Sequence, residues 1–317
     1  MKRRYNDSLF FASFLFVGLS VGLCAAEPKN EITERDFIRV TQLEGKRHPQ
    51  SLDTAIVTFS SADKNERRRI RVDLISAVHI GDKKYYDDLN KQFKKYDVVL
   101  YELVAEQGVR PGTPKSAKVT NKSETSRSGV SSLQGGMGAM LSLDFQLDHI
   151  DYHAKNFVHA DLSPEAFAKR VAERGDIMQI IFRAFLLGLK KESEGQNEEL
   201  KMQGRMLGSF FATDSSLSLK RVSAKVMVQQ LEDSNWLLGG GDEGSAILTD
   251  RNDAALAVLQ KQIKNGKKSI AIFYGGAHMP DMAKKLEKKF NLKRADTVWM
   301  VAWDLTSDQS ARKSSEK

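Results

Sequence analysis

The chain has 317 residues, with 49 lysines and arginines against 41 aspartates and glutamates, a net charge of +8, and one cysteine. A single cysteine excludes a disulfide framework within the chain, so the fold must rest on its core. The basic excess sits in runs such as "KNGKK" and "KKLEKK", which lack interleaved aromatics; they read as solvated helix faces, and no nucleic-acid partner is expected.

The first 26 residues read as a signal peptide. Lys2, Arg3 and Arg4 form a basic start, Leu9 to Leu23 is apolar or small throughout, and Cys24-Ala25-Ala26 supplies small residues for cleavage before Glu27. The apolar run falls short of the roughly 20 residues a membrane helix needs. Cys24 opens a lipoprotein alternative, but Leu23 is bulkier than lipid-attaching processing favours. The expectation is therefore an exported protein, periplasmic or extracellular, that meets the membrane only if lipidated at Cys24. The mature chain would then hold no cysteine and could have no cysteine nucleophile.

Residues 27–53 read as an N-terminal extension ahead of one α/β domain over 54–305. "TAIVTF" (54–59) and "RIRVDLISAV" (69–78) predict two strands joined as a hairpin by the charged "SSADKNERR". Tyr86, Leu89, Phe93 and Tyr96 recur at helical spacing behind Asp82, an expected N-cap. "DVVLYELV" is a short apolar run of the kind buried on both faces of a sheet. Residues 111–136, rich in Ser, Thr, Lys and Gly, read as a flexible loop. "NFVHAD" predicts another strand, and Ser163-Pro164-Glu165 starts a helix with a cap and a proline at its first position. Residues 176–238 are mostly helical in pattern and read as an insertion. A helix over 249–264, the strand "SIAIFYG", a helix from Pro280 to Phe290, the strand "TVWMVAW" and a polar, disordered tail over 306–317 complete the chain. The alternation predicts an α/β sandwich: a central sheet, largely parallel or mixed, flanked by helices. The strands running into Val78, Tyr101 and Tyr274 are expected to lie in one sheet and run parallel.

Two stretches share one local grammar. "ISAVHIGD" (Ile75–Asp82) and "FYGGAHMPD" (Phe273–Asp281) each end a strand in small residues, then His, an apolar residue, Gly or Pro, and Asp. Ligands of open α/β sheets sit at the carboxyl ends of parallel strands, where His79 and His278 fall. Glu102 ends a third apolar strand, a position that suits a carboxylate only when it is paired or bound. Two imidazoles and a carboxylate on one edge are a metal-site donor set with open positions. Asp161, with His159, ends the "FVHAD" strand and is a further candidate ligand or supporting residue. Arg251 and Asn252 open the helix before the second histidine strand, where an arginine can clamp Glu102 or a substrate carboxylate. "DHIDYH" (148–153) reads as a helix surface. "GGGDEG" has dinucleotide-fingerprint spacing but follows a helix rather than a strand, and "GKKS" lacks the upstream glycine of a phosphate loop.

These residues resemble the TraB/Tiki superfamily, which includes the GumN-like and pheromone-shutdown proteins. Its members carry two G-x-x-H motifs near the ends of the domain, a glutamate closing the strand after the first, and an Arg-Asn pair ahead of the second. "GGAH" matches the second motif through Gly275 and His278, and "SAVH" matches the first with Ser76 in the glycine's place. "VVLYE" supplies Glu102 and "DRN" supplies Arg251 and Asn252, so the similarity covers about residues 68–104 and 247–304. The resemblance implies a metal-dependent, protease-like site. His79, Glu102, His278 and Asp161 are the expected ligands of a divalent ion (Mn, Co or Zn), with Glu102, Arg251 and Asn252 in catalysis on a peptide or small-molecule substrate. The alternative is a non-catalytic exported protein that binds metal, haem or a small signal molecule in the same pocket.

Overall fold

The computed structural model describes residues 32–63, 65, 69–111, 141, 143–175, 215–237 and 245–306. The expected leader, all but Pro111 of the loop at 111–136, residues 176–214 and 238 of the expected insertion, and the tail beyond Thr306 lie outside the described residues.

Seven strands form one sheet. They are β1 (Ile38–Thr41), β2 (Ser51–Ser60), β3 (Arg71–Ala77), β5 (Val98–Tyr101), β7 (Phe157–His159), β8 (Ser269–Gly275) and β9 (Lys293–Asp304). β4 (Ile80–Gly81) pairs separately with β6 (Asp144–Phe145). The predicted hairpin is present as antiparallel β2–β3, and β2 also pairs antiparallel with β1 and β9. The other half is parallel, in the order β3-β8-β5-β7. The sheet is therefore mixed, and the strands running into Val78, Tyr101 and Tyr274 share it and run parallel, as the sequence pattern predicts; they also lie side by side. One boundary differs. β1 and the first residues of β2 lie inside the stretch read as an extension, because the edge of β2 satisfies the backbone of "IRVT", a segment too short to show alternation of its own.

Side chains leave the sheet alternately to its two faces. Ile270, Ile272 and Tyr274 of β8 enter a core with Leu256, Leu259, Met282 and Leu286, from α5 (Arg251–Lys264) and α6 (Met279–Phe290). Ala271 and Phe273 enter the opposite core with Tyr86, Leu89 and Phe93 of α1 (Lys83–Phe93) and Leu219 and Ala224 of α4 (Ser215–Leu237). A short α2 (Gln146–His149) and α3 (Pro164–Arg174) complete the described α-helices. α3 begins as its sequence predicts: Ser163 Oγ accepts from the Ala166 N–H at 3.2 Å, Pro164 occupies the first turn, and Gly175 closes the helix at φ 65°.

Asp82 occupies the N-cap position of α1, as expected, but its side chain makes no capping bond to that helix. Its Oδ1 accepts from Lys220 Nζ at 2.7 Å and its Oδ2 from the Asp304 N–H at 2.6 Å. Both partners of the ion pair are buried, and a buried charge left alone is far costlier than a missing cap. The pair therefore pins α4 and the end of β9 to the first histidine motif. Replacing Lys220 with Met leaves the carboxylate unpaired and should cost about 3 kcal/mol in urea unfolding. Adding Asp82→Asn should return part of that loss.

Candidate active site

Four parallel strands send their carboxyl ends to one edge: β3 runs on to His79, β5 to Glu102, β7 to Asp161, and β8 through the turn Gly276–His278. Since β8 lies between β3 and β5, His278 is carried between the strand leading to His79 and the strand bearing Glu102. The first motif is braced from α1. Tyr85 and Tyr86 hydroxyls donate to the Ser76 and Val78 carbonyls at 3.1 Å each. Their rings press on Gly81 so closely that a Cβ there would come within 3.2 Å of Tyr85 Cδ1. Ser76 itself lies within β3 and not at a positive φ, so the first motif needs no glycine for its turn. Its Oγ is buried without a hydrogen-bond partner among the described residues.

Glu102, Asp161, Arg251 and His278 form one hydrogen-bonded cluster. Arg251 Nη2 donates to Glu102 Oε1 at 2.7 Å and to Asp161 Oδ2 at 2.6 Å, while its Nε donates to Asp161 Oδ1 at 3.0 Å. The Gly275 N–H donates to Glu102 Oε2 at 2.7 Å. His278 Nε2 lies 3.5 Å from Glu102 Oε1 and 3.4 Å from Arg251 Nη1. Asp161 is fully buried and both its oxygens are taken by Arg251, so in this arrangement it orients the guanidinium. Burial pushes the Glu102 carboxyl up, but His278, Arg251 and His79 outweigh it and hold the group well below the usual carboxylate range. Burial works against the Arg251 charge, and its Asp161 and Glu102 partners reverse that and raise its pKa.

Asn252 determines which nitrogen of His278 is bare. Its Nδ2 donates to the His278 carbonyl at 3.2 Å and to Asp281 Oδ2 at 2.7 Å, which fixes the amide. Its Oδ1, 2.6 Å from His278 Nδ1, therefore accepts the Nδ1–H. In the neutral ring, Nε2 then carries the lone pair that faces Glu102 and Arg251. The Tyr274 ring packs edge-on to His278 with centroids 5.2 Å apart, and its hydroxyl donates to the Ala160 carbonyl.

A divalent ion at 2.0–2.2 Å from each donor requires donor atoms roughly 3–4 Å apart. The Glu102–His278 pair, a carboxylate oxygen and an imidazole nitrogen 3.5 Å apart, fits that requirement. His79 is exposed and its Nδ1 lies 3.3 Å from Gln146 Oε1. Among the described residues no group of three or more His, Cys, Asp or Glu is close enough to hold an ion together. The sequence thus points to Glu102, Arg251, Asn252, Asp161 and His278, which the structure brings together, while His79 stands beside the cluster. His159, the other candidate on that strand, points its Nε2 at the Leu103 carbonyl, 2.5 Å away. Sequence reasoning missed Gln146 and the part played by Asp281. The matching Asp at the end of both motifs was a visible signal for Asp281, and no local signal marked Gln146. Compared with protein-family models, curated proteins and solved structures, the chain finds no match.

The depressed pKa of Glu102 has a definite consequence for stability. Its folded value lies below the ordinary 4.5, so ionised Glu102 contributes stability above that pH, and the contribution is lost as pH falls through the folded value. Glu102→Gln removes this term. The stability gap between wild type and variant, measured by urea unfolding, should narrow as pH is lowered from about 5 toward about 3.

Proposed function

We propose that the protein is an exported metal-dependent hydrolase acting on peptide or amide bonds, with its reacting centre at Glu102, Arg251 and His278. The observation that carries this reading is the placement of the His278 ring, its Nδ1 held by Asn252 and its Nε2 set 3.5 Å from a carboxylate oxygen beside a buried guanidinium. The ligands of the ion would be His79, Glu102 and His278, with Mn, Co or Zn as the metal; Asp161, expected as a fourth, is instead engaged at both oxygens by Arg251. Such an ion, when bound, lowers the pKa of its water and polarises a carbonyl oxygen.

The chain's own groups have separable tasks in this reading. Asn252 keeps the Nδ1 proton in place, so that Nε2 of His278 stays available as a lone pair. Asp161 engages two nitrogens of Arg251 and leaves Nη1 facing His278. That N–H is suited to stabilise negative charge developing on a scissile carbonyl oxygen, since a donor fixed in advance needs no reorganisation. Glu102 Oε2 stays anchored to the Gly275 N–H, which aims Oε1 at the space shared with His278.

Elemental analysis of the purified mature protein should find about one divalent ion per chain. His79→Ala and His278→Ala should each lose it, together with hydrolysis of peptide substrates. Chelator should lower the melting temperature of wild type and leave both variants unmoved, because a ligand present at about 100 times its Kd contributes roughly 2.7 kcal/mol. An identical response of all three proteins to chelator removes the metal reading. A bound ion or small molecule without turnover assigns the site to binding rather than catalysis.

Export is tested separately by intact mass. The secreted form should begin at Glu27 and lack Cys24. A mass that includes a diacylglyceryl group on Cys24 would instead place the protein at the membrane.

A further inference from the structure

We infer that Gln146 is the positioning residue of His79, doing for the first histidine what Asn252 does for the second. This rests on the proposed role of His79 as a ligand in the hydrolase reading. The first observation is a shared pattern of contacts. Asn252 grips His278 at two points, the ring Nδ1 (2.6 Å) and the backbone carbonyl (3.2 Å). Gln146 reaches the same two points of His79: its Oε1 lies 3.3 Å from Nδ1, and its backbone N–H donates to the His79 carbonyl at 3.0 Å. Two side chains far apart in sequence thus present a carboxamide oxygen to the same ring atom of the two motif histidines.

The second observation is that Gln146 is placed by its surroundings. It is buried, although His79 is exposed. β6 pairs with β4, setting Phe145 opposite Ile80, so Gln146 follows directly from the residue opposite His79's neighbour. Its Nε2 donates to the Tyr152 hydroxyl at 2.8 Å, which turns the oxygen toward His79. Tyr152 is itself buried against Tyr101 and Phe157. A buried amide that spends its oxygen on an exposed histidine is a costly use of a core position unless the histidine must be oriented.

The chemistry favours an amide over a carboxylate. A carboxamide oxygen accepts the Nδ1–H and so fixes the tautomer, yet it carries no charge to draw a second proton onto the ring. In the neutral ring, His79 then presents a bare Nε2, the form a divalent ion takes. The paired motifs become two imidazoles presenting the same nitrogen, each set by an amide from outside its own motif.

The first part of the test needs neither substrate nor metal. Nitrogen-15 NMR of the metal-free protein at about pH 8 reads the tautomer of each neutral histidine. Wild-type His79 and His278 should both carry the proton on Nδ1. Gln146→Leu should shift His79 toward the Nε2–H form and leave His278 unchanged, with Asn252→Leu doing the reverse. Gln146→Glu, which restores an acceptor oxygen, should restore the Nδ1–H form. Titration with Mn²⁺ alone should show Gln146→Leu binding about 10–100-fold more weakly than wild type. A wild-type His79 protonated on Nε2 overturns the inference without any variant, because it means the amide is turned the other way. A tautomer unchanged in Gln146→Leu overturns it equally. If the tautomers behave as expected but no Mn²⁺ binds wild type, the metal reading falls and the assignment of Gln146 stands.

Discussion

A guanidinium held between two carboxylates is the constraint from which the rest of the site follows. Arg251 is almost wholly buried, with Asp161 fully buried and Glu102 nearly so. None of the three tolerates isolation, because a charge taken out of water without a partner costs several kcal/mol. Meeting that demand ties the start of α5 to the ends of β5 and β7. It also fixes Glu102 between Arg251 and the Gly275 N–H, and with it the 3.5 Å approach to His278.

The same arrangement limits what can enter. Every oxygen of Glu102 and Asp161 accepts a hydrogen bond from Arg251 or Gly275. In the proposed hydrolase, a cation held by Glu102 and His278 would share Oε1 with Arg251 Nη2, and Arg251 Nη1 already lies 3.4 Å from His278 Nε2. Two positive groups at one carboxylate repel, and the repulsion is strong where water is scarce. The guanidinium is therefore both support and competitor. Its double hold on Asp161 supplies an anchor that remains if its bond to Glu102 is given up.

Repetition in the sequence becomes asymmetry in the fold. The two histidine motifs share a strand end, a turn and a closing aspartate, yet His278 is buried in the polar cluster while His79 is exposed. Their aspartates diverge as well. Asp281 binds Asn252 and Lys285, at 2.7 Å each, and so belongs to the support of His278. Asp82 binds Lys220 of α4 and the backbone of β9, and so belongs to the packing of the sheet. Position in the sheet separates them: β8 lies between two parallel neighbours, whereas β3 borders the antiparallel half.

What the amino-acid sequence determined by itself was whatever depends on local pattern. Apolar runs and their alternation placed the strands that carry the site, helical spacing placed α1, α5 and α6, and Ser163-Pro164 marked the start of α3. Because the parallel strands all end at one edge, naming the residues that follow them placed His79, Glu102, Asp161 and His278 at that edge. The tertiary structure decided the rest, for each remaining choice is a competition between partners distant in the chain. Asp82 sits at its expected N-cap but turns its carboxylate to Lys220, and "IRVT" joined the sheet through the edge of β2. Asp161 was claimed by Arg251, 90 residues away, and Gln146 reached His79 across 67 residues. Local pattern specifies which face a side chain occupies, but a buried charge or amide goes to the partner that satisfies it, and only the folded chain brings that partner within reach.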